Sequence, residues 1–169
     1  MNEIFEIVTV QGPKAAILRR KARPVGKVTR DVQRLLEQML ATMQAANGLG
    51  LAAPQIGESV RAFVAKVEDR TVMLVDPEIV HASGEEIATE ACLSIPGVIG
   101  DVPRATAIVV RGKNRRGRRV SIAAEGLLAR VIQHEIDHLD GILFPDRVRD
   151  QSTIRIITRD EEPEPVAAT

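Results

Sequence analysis

His134-Glu135-Ile136-Asp137-His138 carries more of the fold and of the chemistry than any other stretch of this chain. On a helix, histidines four positions apart share one face about one turn apart, close enough to hold one metal ion. The glutamate between them lies roughly 100° round the helix from the first histidine. From there its carboxylate reaches water at the metal without being a ligand itself. The pattern serves metal-assisted hydrolysis of an amide or ester. The flanking residues predict the helix: between Glu125 and Asp140, Leu127, Leu128, Val131, Ile132, Ile136 and Leu139 are apolar, and Gly141 supplies a stop. Leu127 and Val131 share the stripe that continues into His134 and His138, which turns the histidines inward. A surface pair, or two satisfied core histidines, would show the same spacing.

Two histidines do not complete a catalytic centre, which takes three protein ligands and leaves one position open. The third histidine, His81, sits in His81-Ala82-Ser83-Gly84, which reads as a solvated turn. The single cysteine, Cys92, lies in Glu90-Ala91-Cys92-Leu93-Ser94-Ile95-Pro96-Gly97. It has no partner for an internal disulfide. Three readings stand for it: a small buried hydrophobe, a nucleophile paired with histidine, or a thiolate ligand completing a Cys-His-His set.

Taken together, three segments resemble the peptide deformylase family, in its order and at about its spacing. They are Gly48-Leu49-Gly50-Leu51-Ala52-Ala53-Pro54-Gln55, Glu90-Ala91-Cys92-Leu93-Ser94 and Gln133-His134-Glu135-Ile136-Asp137-His138-Leu139. Similarity also covers Leu18-Arg19-Arg20-Lys21-Ala22-Arg23-Pro24-Val25, and the whole resemblance spans roughly residues 4–148. It implies removal of the formyl group from N-formylmethionyl nascent peptides, with formate released. The implied metal ligands are Cys92, His134 and His138. Ferrous iron is the implied metal, with zinc, nickel or cobalt able to replace it. Glu135 would move the proton from water to the departing amine, while Gln55 and the Leu93 amide face the developing oxyanion. Gly50 would hydrogen-bond a peptide lying alongside in strand fashion. Leu49, Leu127 and Val131 are placed beside the methionine side chain by analogy and helix face, although core packing explains each equally well. Glu90 would orient a ligand histidine through its free ring nitrogen, and a salt bridge from Glu90 to Arg104 is compatible with that role. One departure stands out: the family usually has glycine where this chain has Ala91, although other members carry alanine too. The extra methyl would narrow the cleft or forbid a positive φ.

At 169 residues, 44% hydrophobic, the chain can bury one ordinary core, built from Leu, Ile, Val and Ala because aromatics are only 2%. A net charge of zero gives no general attraction to DNA or a membrane, and no apolar run approaches spanning length. The start lacks the pattern of a signal peptide, and a lone cysteine fits a reducing compartment, so a cytoplasmic location is expected. Thr29 caps a helix running to about Ala46, ended by Asn47-Gly48. Strands are expected at residues 60–66, 71–75, 106–111 and 118–123, the last two joined by a turn at residues 112–117. The order predicts an α+β fold, antiparallel or mixed sheets packed around a central helix that carries the histidine motif. One catalytic domain is expected over residues 1–150, with a short acidic, disordered tail over residues 151–169.

The turn at residues 112–117 sits in a basic cluster of Arg111, Lys113, Arg115, Arg116, Arg118 and Arg119. A solvated hairpin is the plainer reading, and a transient contact with the ribosome the functional one. Docking by a basic C-terminal helix, known for some family members, is not expected, because the last stretch of the chain contains Asp160-Glu161-Glu162-Pro163-Glu164-Pro165. Besides a deformylase, three classes fit parts of the pattern. An ordinary zinc peptidase would need another His or Glu ligand. A non-enzymatic metal-binding or chaperone-like module would bind metal without turnover. A cysteine hydrolase would keep its metal content on loss of Cys92.

Overall fold

The computed structural model describes residues 3–157. Helix α1 spans Arg30–Ala45 and starts where the Thr29 side chain accepts the Val32 N–H. Its apolar stripe buries Leu36, Met39 and Met43. The helix stops at Asn47, which takes φ 57°, and the Gly48 N–H closes the end on Met43 O at 2.9 Å. Asparagine tolerates that left-handed geometry better than most residues. The turn delivers the chain into strand β1, Gly50–Ala52.

Six further strands follow before the second helix: β2 Ala62–Val67, β3 Arg70–Ser83, β4 Glu86–Cys92, β5 Ile95–Arg104, β6 Ala107–Lys113 and β7 Arg119–Glu125. The first sheet has the order β1-β2-β3-β6-β7, all antiparallel, with β1 at an edge. Helix α2, Gly126–Leu139, carries the histidine motif. The sheet lies between the helices, as side-chain alternation shows. Ala62 and Val64 of β2 pack with Leu36, Met39 and Met43 of α1, whereas Phe63 and Ala65 pack with Ala129, Val131 and Ile132 of α2. Both faces of β2 are covered, so residues 62–65 read as a continuous apolar run before Lys66.

The β4–β5 hairpin and strand β8, Arg155–Ile156, form a second antiparallel sheet. It packs on a third core containing Cys92, Val102, Leu143 and Phe144, and meets α2 through Glu90, which bonds His134 and Arg130. The expected α+β class holds, and the sheets resolve as antiparallel.

Three local expectations need correction. His81 is exposed but lies in β3, opposite Val109, because β3 continues past Val75 through two register shifts. The β4–β5 hairpin went unread because its residues are polar or turn-like, and β5 contains Pro96, Gly97, Gly100 and Pro103. The domain boundary expected at residue 150 moves outward, since β8 pairs with Val98 and Ile99 of β5. The acidic stretch at residues 160–165 lies outside the described residues. No helix among the described residues is long and apolar enough to cross a membrane.

The C-terminus of α2 is held from several sides. Its last carbonyl, Leu139 O, accepts from Ala22 N–H at 2.8 Å and from Arg61 Nη1 at 2.9 Å, the guanidinium also pairing with Asp140. A cation at this end suits the helix dipole. Gly141 turns the chain away with φ 73°, and a Cβ there would lie 2.7 Å from Arg19 O. Gly141→Ala is therefore expected to lower unfolding free energy by about 2 kcal/mol or more. Denaturant titration checks this, and an unmoved midpoint would contradict it.

Candidate metal centre

Cys92 ends β4, and the residues after it, Leu93 and Ser94, form the tight turn into β5. This geometry aims the sulfur at α2. Cys92 Sγ lies 3.4 Å from His138 Nε2, which lies 3.2 Å from His134 Nε2. All three residues are buried, and their ligand atoms lie within 4.8 Å of one another. A tetrahedral ion with bonds of about 2.1 Å to nitrogen and 2.3 Å to sulfur would set edges of roughly 3.4 and 3.6 Å. The donor set therefore fits a divalent metal with little movement. Burial holds His138 neutral, the Arg104 charge acting in the same direction, so its imidazole is ready to donate a lone pair. Burial also pushes the Cys92 thiol up to about 12, although the N–H groups of Ser94 and Ile95 pull the other way. A thiolate here needs a cation beside it.

Around this centre stand the other residues singled out from sequence. Glu135 is fully buried on α2. Gly50 of β1 sits against it: a Cβ on Gly50 would fall 2.5 Å from Glu135 Oε1 and 2.8 Å from Val131 Cγ1. Gln55, in a short 3-10 turn after β1, is fixed by Ala52 N–H donating to its Oε1 at 2.9 Å. Its Nε2 donates to Ser94 Oγ at 3.2 Å and points at Cys92 Sγ, 3.7 Å away. Leu93 is half-buried, with Cδ1 2.8 Å from where a Gly48 Cβ would be. Leu49 is half-buried against the core layer of α2, whereas Val131 is fully buried within it. Leu127 is 37% exposed, so core packing does not account for it. His81 is exposed and lies outside the cluster. Ala91 pairs with Ile99 just before a register shift at Cys92 and has no positive φ, so its methyl forbids no backbone conformation used here.

Glu90, fully buried, meets both groups expected of it. Oε1 accepts from His134 Nδ1 at 2.8 Å, and the Arg104 guanidinium grips both oxygens at 2.9 Å. Burial would raise its pKa, but these bonds outweigh it and hold the carboxyl well below the usual range. Most of the further partners have no local signal in the sequence. Arg104 also bonds Asp137 at 2.5 Å, and Arg147 takes the other Asp137 oxygen at 2.9 Å. Gln133 exchanges a pair of bonds with the Ala105 backbone, at 3.0 and 2.9 Å, pinning α2 to the β5–β6 connection. Arg130 alone among them has a local signal in the sequence: a lone charge inside Leu127-Leu128-Ala129-Arg130-Val131-Ile132 demands a buried partner.

The family model for polypeptide deformylase matches residues 4–153. A peptide deformylase of Carboxydothermus hydrogenoformans is 50% identical over 144 residues, 85% of this chain and 93% of that protein. The crystal structure of peptide deformylase from Thermotoga maritima superposes with a TM-score of 0.82 at 39% identity, covering 87% of this chain and 99% of that one. A peptide deformylase from Synechococcus elongatus, in complex with actinonin, gives the same score and identity over 88% and 81%.

With a protonated thiol and a neutral His138, Zn2+ loading near pH 7 is expected to release about one proton per metal. Cys92→Ser should abolish both the loading and the proton. Metal content and pH-indicator absorbance check this. Full loading of the serine variant would exclude the thiolate ligand.

Proposed function

The chain belongs to the peptide deformylase family, and on that premise we propose how its residues divide the reaction. The family hydrolyses the formamide C–N bond at the N-terminal methionine of newly made polypeptides, releasing formate and a free amino terminus. One observation carries the assignment to this site: two imidazole nitrogens and one sulfur converge beside a buried glutamate on the same helix.

In this reading Cys92, His134 and His138 hold one divalent ion, ferrous iron as the resident metal, with zinc, nickel or cobalt as replacements. Such an ion supplies a Lewis acid that makes hydroxide available near neutral pH. Glu135 takes the proton of the attacking water and returns it to the nitrogen as the C–N bond breaks. Gln55 Nε2 and the Leu93 N–H donate to the formyl oxygen as it turns negative. Support for Gln55 is its fixed amide, which already presents N–H toward the ligand sulfur. The outer edge of β1 and the Gly50 backbone bond the peptide as an added strand, which the edge position of β1 favours. Leu49, Leu127 and Val131 flank the methionine side chain. Glu90, braced by Arg104, keeps the His134 ring in place.

Two finer statements belong to the same proposal. The protein works in the cytoplasm, where a metal-binding thiol stays reduced. The basic hairpin contacts the ribosome transiently. Lys113 and Arg115 are engaged by Asp76 and Glu37, whereas Arg116, Arg118 and Arg119 remain exposed for an RNA backbone.

Formate release from a formyl-Met tripeptide tests the division of roles. Glu135→Ala is expected to lose about 100- to 10,000-fold in kcat while keeping its metal. Wild-type turnover by that variant would remove Glu135 from its role. Iron predicts activity that decays in air and returns on anaerobic nickel or cobalt loading. Equal half-lives in air and argon would contradict iron.

A further inference from the structure

Arg130 is 5% exposed and lies one helical turn before His134. A guanidinium does not lose its proton in a protein, so α2 carries a permanent buried cation where an aliphatic residue would pack. Its bonds are specific. Nη1 donates to Glu90 Oε2 at 2.7 Å and to Val102 O at 2.8 Å, and Nη2 donates to Glu86 O at 2.7 Å. One side chain thus ties α2 to β4 and β5 together.

The consequence lies in the geometry of Glu90. A carboxylate offers about four lone-pair directions. Here Oε1 receives His134 Nδ1 and Arg104 Nη2, while Oε2 receives Arg104 Nε and Arg130 Nη1. Arg104 alone does not fix the arrangement, because its remaining Nη1 is drawn to Asp137 on α2. Arg130 pulls Oε2 toward the preceding turn and leaves Oε1 facing the His134 ring. We propose that Arg130 is a positioning residue of the metal centre. By anchoring Glu90 Oε2 it holds Oε1 on His134 Nδ1, and so keeps His134 Nε2 turned toward Cys92 and His138. The proposal rests on the reading of those three residues as the ligand set. A purely structural Arg130 would stitch the helix to the two carbonyls without acting through Glu90.

Co2+ binding to the full chain, by chelator competition and absorption spectroscopy, separates these roles. The wild type is expected to take one equivalent with a thiolate charge-transfer band that Cys92→Ser removes. Absence of that band, or its survival in Cys92→Ser, sinks the ligand-set reading and the proposal with it, before any Arg130 variant is measured. Arg130→Met is expected to weaken Co2+ about 10- to 100-fold and to shift the d–d bands. In a Glu90→Gln background the same change should cost no more than about twofold. Equal losses in both backgrounds, or unchanged affinity and spectrum in Arg130→Met, overturn the proposal. Val75→Ala, in the core on the α1 side of the first sheet, controls for lost stability, and a matching loss there overturns it too. Should Glu90→Gln fail to fold, the Arg130→Met spectrum against the Val75→Ala spectrum decides.

Discussion

A carboxylate with no exposure to water sits at the middle of this molecule, and the arrangement around it follows from the need to keep it there. Moving such an ion out of water costs several kcal/mol unless donors replace its hydration. Glu90 is given two guanidinium groups and an imidazole, drawn from β5 and from α2, while it stands on β4 itself. Removing any donor would leave charge unmatched in a dry interior. The second sheet and the motif helix are therefore locked in one register, and the metal ligands inherit it.

That register also explains how the ligands come from two distant segments. Along a strand, alternate residues lie about 6.6 Å apart, and along a helix residues four apart lie about 6 Å apart. Glu90 and Cys92 lie two residues apart in β4, across a register shift between Ala91 and Cys92, and His134 and His138 lie one turn apart on α2. The Glu90 carboxylate meets the His134 ring, and the Cys92 sulfur meets the His138 ring. Matching steps let one alignment serve both contacts. A slip by one residue in β4 would turn both side chains away.

Legibility in the sequence followed the strength of local signals. The motif helix, the Thr29 cap and the hairpin at residues 112–117 rest on periodicity and turn chemistry, which act within a few residues, and each lies close to its expected place. The β4–β5 hairpin had no such signal. Glu90 and Arg104 were paired only through the resemblance, because their partners are distant in the chain, and Pro96 and Pro103 argue against a strand until the whole sheet is seen. The candidate ligands were named through resemblance, since spacing alone left Cys92 with three readings; the convergence of Sγ and two Nε2 atoms is a tertiary fact. Arg130 carried a usable local signal, an unexplained charge in an apolar run.

Gly50 bears on how the chain can evolve under attack. Any side chain at that position would strike the Glu135 carboxylate, so the codon has almost no tolerated neighbours. A compound that imitates a peptide strand and draws its hydrogen bonds from the Gly50 backbone would be gripping a place the protein cannot redraw. Escape by substitution would have to arise among side chains such as Leu127, whose exposure leaves room for change, and not along the strand edge itself.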